Sequence, residues 1–458
     1  MPDARRLGQR RHWLRYPPRM ERSSRLIDLG RVLEAAEAAS PLDAVAGVAR
    51  ELGQAFGAVA VSFLITDMSG RALVRLAHVP LSRGQVGGAS SLELGERRED
   101  EESATVLPFD GGPAEQAVRT QTVQVVPPVG ADEKADPADG WRVLAPVTER
   151  GESIGLLELL LPDEPDRAVV AEIAQVAHLL AFVVVANRRH TDLFEWGQRS
   201  RAYSLSAEIQ QRLLPEARTC EAASFTLAGW LEPASSIGGD TFDYSLARDV
   251  LHLSLTDAMG HGVYAALTAS VCLGSLRGAR RRGMSLLEQA QATNDAVSGH
   301  EVGRAGDDFV AGLLGRVELG TGSLEIVNAG HVSPYLFRDS EVTSLDLRVD
   351  LPFGMFADST YRSTSLGLEP GDRIVFVTDG MLERRVASAD VPGAIRATAD
   401  LHPREVVRAL ADSALTAAGH SLQDDATVLC LDWHGMHDAS RDSPSGADRA
   451  RASDPLGD

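Results

Sequence analysis

The sequence predicts an α+β protein with an N-terminal α/β/α domain, a linker helix, and a C-terminal antiparallel β-sandwich flanked by helices. The chain has 458 residues, of which 44% are hydrophobic, enough to bury two cores. Apolar residues recur with helical periodicity at residues 25–57 and 166–187. After residue 216, hairpin-like strands and helices alternate irregularly, which disfavours a doubly wound parallel sheet.

The N-terminal domain is predicted over residues 25–187. Its two first helices meet at Ser40, a typical cap, and Pro41, which suits a first helical position. A hairpin over residues 58–79, a second strand pair over 141–161 and a closing helix complete the unit. The apolar run at 179–186 is too short for a membrane span, so we interpret it as part of a buried helix.

Residues 188–215 are predicted to form one amphipathic linker helix, and residues 216–433 the C-terminal domain. The apolar face of the linker has no obvious partner in either domain, so we expect it to mediate homodimerisation. Its apolar residues are Leu193, Phe194, Leu205, Ile209 and Leu213. The arginine-rich residues 1–24 and the polar residues 434–458 are predicted to be disordered tails.

Composition excludes several classes of function. The net charge of −20 and the pI near 5.1 disfavour nucleic-acid binding through a generally basic surface. Lys134 is the only lysine, which argues against a P-loop nucleotide hydrolase. The chain has three widely spaced cysteines and no secretory signal, so we expect a cytoplasmic protein without disulfides and without a membrane anchor.

Four aspartates lie next to predicted strands and indicate an enzyme. Asp240 lies in GGDTFDY, Asp257 in LSLTDAMGHG, Asp379 in RIVFVTDG and Asp424 in DDATVLCLDW. If the strand ends converge, the carboxylates repel one another unless cations neutralise them. Hard divalent ions prefer such oxygen ligands, and a pair of them can activate water and clamp a phosphoryl group. Taken singly, Asp379 before Gly380 would be an ordinary turn.

Five motifs carry a resemblance to a known family. GGDTFDY, DAMGHG, NAGHVSP, TDGMLE and DDATVL occur in this order, and together they resemble the SpoIIE/RsbU-type bacterial branch of the metal-dependent (PPM) protein phosphatases. This resemblance implies two Mn²⁺ or Mg²⁺ ions. Asp240, Asp257 and the carbonyl of Ala258 would hold the first ion, and Asp257, Asp379 and Asp424 the second.

The chain departs from the wider family at one position. Many members have a histidine two residues after the bridging aspartate, suited to protonating the leaving oxygen, whereas this chain has Met259. His261 and His331 are alternative acids or structural histidines. Asp243 and Asp425 are expected to orient ligands or bound water rather than to bind metal.

Residues 25–187 resemble a GAF domain in their order of helices and strands and in LAPVTERGESIGLLEL. This implies a regulatory unit, with or without a ligand that the sequence does not identify. The combined resemblance implies a regulated serine/threonine phosphatase acting on a phosphorylated anti-sigma-factor antagonist. Two alternatives stay open: an inactive phosphatase-fold scaffold that binds a phosphoprotein, and hydrolysis of a small phosphoester.

Overall fold

The computed structural model describes most of the chain. It covers residues 27–81, 105–128, 140–198, 204–234, 238–300, 309–382, 390–419, 422–436, 443, 445–448 and 451. The predicted tail at residues 1–24 lies outside these residues.

The N-terminal unit is an antiparallel sheet with helices on both faces. Its helices are α1 (Leu29–Ala38), α2 (Ala44–Phe56), α3 (Pro113–Thr120) and α4 (Arg167–Asn187). Its strands are β1 (Ala60–Thr66), β2 (Ala72–Pro80), β3 (Val106–Pro108), β4 (Gln124–Val126), β5 (Trp141–Glu149) and β6 (Glu152–Leu161), in the order β3-β2-β1-β6-β5-β4. Because side chains alternate along a strand, one face packs on α1, α2 and α4 and the other on α3.

Helix α4 carries most of the apolar sequence of this unit. By length and composition alone, the segment Arg167–His190 could cross a membrane, with a mean hydropathy of 2.2, but a core helix passes the same test. Val176, Leu180 and Val184 are buried against the sheet, while Phe182 on the opposite side is 49% exposed. The predicted buried helix is therefore buried on one side.

The prediction of one linker helix over residues 188–215 is wrong. A 3₁₀ turn (Arg188–His190) follows α4, and two separate helices come next, α5 (Leu193–Gly197) and α6 (Leu205–Leu213). Phe194 is buried in the N-terminal core, whereas Gln210 is buried against the C-terminal domain. The linker thus packs within both domains, which removes the reason to expect dimerisation through it.

The C-terminal domain is an antiparallel β-sandwich flanked by helices, which confirms the predicted fold class. One sheet contains β9 (Thr241–Leu246), β10 (Val250–Ala258), β11 (Val310–Glu318), β12 (Ser323–Ala329), β15 (Val349–Asp350) and β16 (Ser363–Gly367). The other contains β7 (Thr219–Glu221), β8 (Phe225–Glu232), β13 (Tyr335–Arg338), β14 (Glu341–Ser344), β17 (Arg373–Val377) and β18 (Ala426–Trp433). Among the described strands, only the short pair β12–β15 is parallel.

Three apolar layers hold this domain together. The inner layer lies between the sheets and includes Phe225, Phe242 and Phe376. Helices α7 (Gly262–Arg281) and α8 (Leu286–Ser298) cover the outer face of the first sheet. Helices α9 (Val391–Ala397) and α10 (Pro403–Ala417) cover that of the second.

Residues 434–458, which follow the last strand, are predicted to be disordered. This prediction is wrong for the residues of the segment that the structure describes. Gly151 N donates to the carbonyl of Gly446, and Asp448 N donates to Glu221 Oε2, each at 3.0 Å. Ala447 is buried, and Arg451 donates to the carbonyl of Ala222. A polar composition therefore did not prevent order here, because the backbone finds partners on the sheet edge and on the β5–β6 turn.

The inner layer yields a stability prediction. Phe242 is fully buried against Gly229, where an added Cβ would lie 2.3 Å from the ring. We expect Phe242→Ala to lower the free energy of unfolding by about 3–5 kcal/mol, because it leaves a cavity. Phe356→Ala, at a side chain 56% exposed, is the control and should cost under about 1 kcal/mol. Equal costs in urea denaturation would contradict this packing.

Candidate active site

Asp240 and Asp257 meet at one rim of the first sheet. Thr241 in β9 pairs with Thr256 in β10, and their Oγ1 atoms lie 2.7 Å apart. Asp240 precedes Thr241 and Asp257 follows Thr256, so the antiparallel register makes the aspartates neighbours. Their carboxyl groups are close enough for each to shift the pKa of the other.

Asp379 and Asp424 reach the same rim from the second sheet. Val377, the last residue of β17, pairs with Val428 in β18. Asp379 lies two residues after β17, and Asp424 two residues before β18. Both carboxylates act electrostatically on Asp257, so the sandwich brings all four predicted aspartates together at one end.

Asp240 is the most buried of the four, at 2% exposure. Its Oδ2 accepts hydrogen bonds from Thr378 Oγ1 at 2.8 Å and Thr427 Oγ1 at 2.6 Å. Burial, then the charges of Asp257 and Asp425, raise its pKa well above the usual range. The fold therefore holds this carboxylate where its charge requires a proton or a cation.

The pKa values of Asp257 and Asp424 are raised, with burial again the largest cause. Burial, followed by the charges of Asp379 and Asp424, raises the pKa of Asp257 to about 7. Burial also raises the pKa of Asp424, which is half-buried. Asp379 is exposed, which leaves this side of the rim open to solvent.

Glycines allow the loops to approach the acidic residues. A Cβ on Gly239 would lie 2.4 Å from the carbonyl oxygen of Ala258, and one on Gly238 would lie 2.9 Å from Asp424 Oδ1. Side chains at either position would push the loops apart. The GG of the GGD motif thus brings the Ala258 carbonyl, the fifth predicted ligand, next to Asp240.

The donor set suits hard divalent cations, since it consists of carboxylate and carbonyl oxygens that repel one another without a counter-charge. No three Asp, Glu, His or Cys side chains in the described part of the chain form a ready-made metal site. An ion would therefore have to draw the carboxylates closer. Their assignment as metal ligands stays a prediction.

Asp425 is a buried acid that binds the loop preceding Asp240. It is 1% exposed, and it accepts hydrogen bonds from Ala234 N at 2.9 Å and Gly238 N at 3.1 Å. Burial raises its pKa. It fixes the loop before Asp240 through these hydrogen bonds, and its role in orienting ligands or bound water stays a prediction.

The sequence did not reveal Gln210 as part of this site. It lies on α6, before the sandwich, and is buried. Its Nε2 donates to Asp425 Oδ2 and, at 2.9 Å, to the carbonyl of Asp240. One glutamine in an amphipathic pattern carries no signal of such a contact. Thr378 and Thr427 were also missed, although each lies within three residues of a predicted ligand.

The expected role of Asp243 is corrected. Its carboxylate pairs with Arg277 at 2.8 Å and with Arg280 at 3.0 Å, both on α7. Strand alternation turns Phe242 into the sandwich and Asp243 to the outer face. Asp243 therefore anchors α7 to the sheet, and the arginines take both of its oxygens.

The two candidate histidines differ in environment. His331 is buried, its Nδ1 lies 3.0 Å from the carbonyl of Val332, and its backbone N–H donates to Asn328 Oδ1. Burial lowers the pKa of His331 and so favours the neutral form of its ring. His261 is exposed and acts electrostatically on Asp424. Met259, at the position of the missing histidine, is 53% exposed.

The raised pKa of Asp257 predicts how stability depends on pH in chelator. Because its pKa rises from 3.8 to about 7, the folded state holds a proton that the unfolded state has lost in this window. The free energy of unfolding should therefore fall by a few kcal/mol as pH rises from about 4 to about 7.

Urea denaturation in EDTA across this pH range measures the effect. Asp257→Asn cannot titrate at this position, so its slope should be shallower. A slope as steep in the variant as in the parent would contradict the assignment of the shift to Asp257.

Comparisons with known proteins fall on this domain. Residues 247–434 match the family model of stage II sporulation protein E (SpoIIE). Phosphoserine phosphatase RsbU of Bacillus subtilis is 23% identical over 237 residues, covering 50% of this chain and 68% of RsbU. Phosphoserine phosphatase RsbP of the same organism is 23% identical, covering 51% of this chain and 58% of RsbP.

Two further similar proteins match the chain in part. Protein IcfG of Synechocystis is 26% identical, with 39% of this chain and 32% of IcfG covered. The crystal structure of the RsbU and RsbW domains of Rv1364c from Mycobacterium tuberculosis is 24% identical, with a TM-score of 0.40, and the match covers 51% of this chain and 64% of that one. The chain thus spans less than two thirds of several relatives. Residues 247–434 are therefore similar to the SpoIIE family, and the motifs DAMGHG, NAGHVSP, TDGMLE and DDATVL lie within them.

Proposed function

We propose that this protein is a metal-dependent phosphatase that removes phosphate from phosphoserine or phosphothreonine on a protein. The observation that carries the proposal is the convergence of Asp240, Asp257, Asp379 and Asp424 at one rim, in a domain whose relatives include two proteins named phosphoserine phosphatase. By analogy with the SpoIIE/RsbU type, the substrate is a phosphorylated anti-sigma-factor antagonist.

The residues at the sandwich rim would have different roles in this reaction. Two Mn²⁺ or Mg²⁺ ions, when bound, would supply a nucleophilic water and neutralise the phosphoryl oxygens. Asp257 interacts with Asp240, Asp379 and Asp424, which supports it as the ligand that two ions would share. Thr378 and Thr427 fix Asp240, and the open side at Asp379 leaves room for a protein substrate.

Regulation by the N-terminal GAF-like domain is the second part of the proposal. The domains are joined by partly buried ion pairs: Arg119 with Glu405 at 2.9 Å, and Arg71 with Glu232 at 3.0 Å. Arg404 Nη1 also donates to the carbonyl of Gly151 at 2.8 Å. Such contacts supply a route for coupling. All three cysteines are buried free thiols, which suits the cytoplasmic location that we include in the proposal.

A scaffold without catalysis is the alternative. Met259 replaces a histidine suited to protonating the leaving oxygen, and no ready-made three-ligand site exists in the described residues. Such a protein would bind a phosphoprotein and consume no phosphate ester.

Phosphate release distinguishes these functions. With Mn²⁺ and a phosphoserine protein, we expect activity that EDTA abolishes and that Asp257→Asn lowers by at least about 100-fold, because loss of charge at the shared ligand removes several kcal/mol of transition-state stabilisation. Asp358→Asn, at an exposed acid of the same domain, should keep full activity. Equal phosphate release by the parent and by Asp257→Asn, with and without EDTA, would reject the proposal. Faster hydrolysis of small phosphoesters than of phosphoproteins would favour a small-molecule substrate.

Gln210 provides a separate prediction, as a positioning residue. Gln210→Leu removes the hydrogen bonds to Asp425 and to the Asp240 carbonyl. We expect the Mn²⁺ concentration for half-maximal activity to rise about 10- to 100-fold, with kcat at saturating Mn²⁺ largely retained.

Gln291→Leu is the matched control, since Gln291 donates to Asp295 one turn away on α8. An unchanged Mn²⁺ requirement in Gln210→Leu would contradict the positioning role, as would a loss of kcat alone.

A further inference from the structure

A cavity of about 660 Å³ lies between the two domains, away from the sandwich rim. The N-terminal domain contributes the β1–β2 turn, α3 and the start of β6. The C-terminal domain contributes β8 and α10, and residues of α5 and α6 close one side. Its volume is within the range of small-molecule sites, about 300–1,000 Å³.

Arg408, on α10, is the unusual side chain of this cavity. Its guanidinium carbon lies 5.7 Å from the ring centres of both Phe109 and Trp230. Within the described residues it makes no hydrogen bond or ion pair, unlike Arg404 and Arg119 beside it. Two aromatic faces partly offset its charge, but its five N–H donors have no acceptor.

The carboxylates nearest to Arg408 in sequence accept hydrogen bonds from other arginines. Glu405, one turn before it, accepts from Arg119 at Oε2 and from Arg404 at Oε1. Asp412, one turn after it, accepts from Arg71 at 2.6 Å. Three other arginines therefore hold the acids nearest to Arg408 in sequence.

The lining as a whole has no excess of negative charge. Arginines and acidic side chains line the cavity in equal number. Burial raises the pKa of one of these acids, Glu152, and so favours its neutral form. Arg408 is therefore distinguished from the other lining arginines named above by the absence of a hydrogen-bond acceptor among the described residues.

The β1–β2 turn packs closely against Arg408 and Trp230 at Gly70. Gly70 has φ +58°, and a Cβ there would lie 2.7 Å from Trp230 Cη2 and 3.3 Å from a guanidinium nitrogen of Arg408. The backbone of the N-terminal domain thus contacts the indole and the guanidinium directly. A ligand at Arg408 would touch both domains.

We propose that this interdomain cavity binds a small organic anion whose carboxylate or phosphoryl group pairs with Arg408. A planar guanidinium with free donors donates two parallel hydrogen bonds to two oxygens of such a group. The flanking aromatic rings exclude water, which strengthens the pair. The remaining volume accommodates an organic body larger than the anionic group.

Calorimetric titration of the full chain in EDTA tests the site without catalysis at the sandwich rim. Benzoate is the carboxylate probe, and phenylphosphonate, which has no ester to hydrolyse, is the phosphoryl probe. We expect saturable binding of at least one probe with Kd below about 10 mM. Arg408→Gln should weaken it at least 10-fold and Arg408→Lys less, because lysine keeps the charge but loses the paired donors.

Two controls make the result specific. Arg396→Gln, at an exposed arginine on α9, should bind the probe like the parent, and neutral benzamide should not bind. Circular dichroism checks that each variant is folded; if Arg408→Gln is not, Arg408→Lys and benzamide still decide. No saturation by either anion would overturn the proposal, as would equal affinity for benzamide or unchanged affinity in the folded Arg408 variants.

Discussion

The repulsion among carboxylates at one end of the sandwich is the constraint on which the rest of the site depends. Asp240 and Asp257 come from one sheet and Asp379 and Asp424 from the other, so the rim exists only when the sheets are packed. Asp240, the most buried of the four aspartates, accepts hydrogen bonds from the neutral hydroxyl groups of Thr378 and Thr427. The stability of the fold thus maintains an arrangement that electrostatics alone would disperse.

An acid close to the rim in sequence can still be paired with cations, as Asp243 is. Asp243 lies only three residues after Asp240, yet two arginines of α7 neutralise its charge. The alternation of side chains along β9 produces this difference, because it directs one acid to the helix layer while the strand end presents the other. Local sequence context therefore separates a structural acid from a candidate ligand only when the face of the strand is known.

Helix α6 connects the two regions of interest. Gln210 faces the rim, while Glu208, Gln211 and Arg212 on the same helix line the interdomain cavity. A single short helix thus contacts both the acidic cluster and the surface shared with the N-terminal domain. Its position follows from the break in the linker, which lets α5 join one core and α6 the other.

The sequence by itself determined the fold class and the four aspartates, because strand patterns, glycine turns and acidic residues are local features. It also indicated the family through motifs in a fixed order. Only the tertiary structure decided the break in the linker, the order around Ala447, the ion pairs of Asp243 and the contacts of Gln210. These depend on which residues distant in sequence meet, and no local pattern records that. The environment of Arg408 also depends on tertiary contacts. Three other arginines donate hydrogen bonds to the carboxylates nearest to it in sequence.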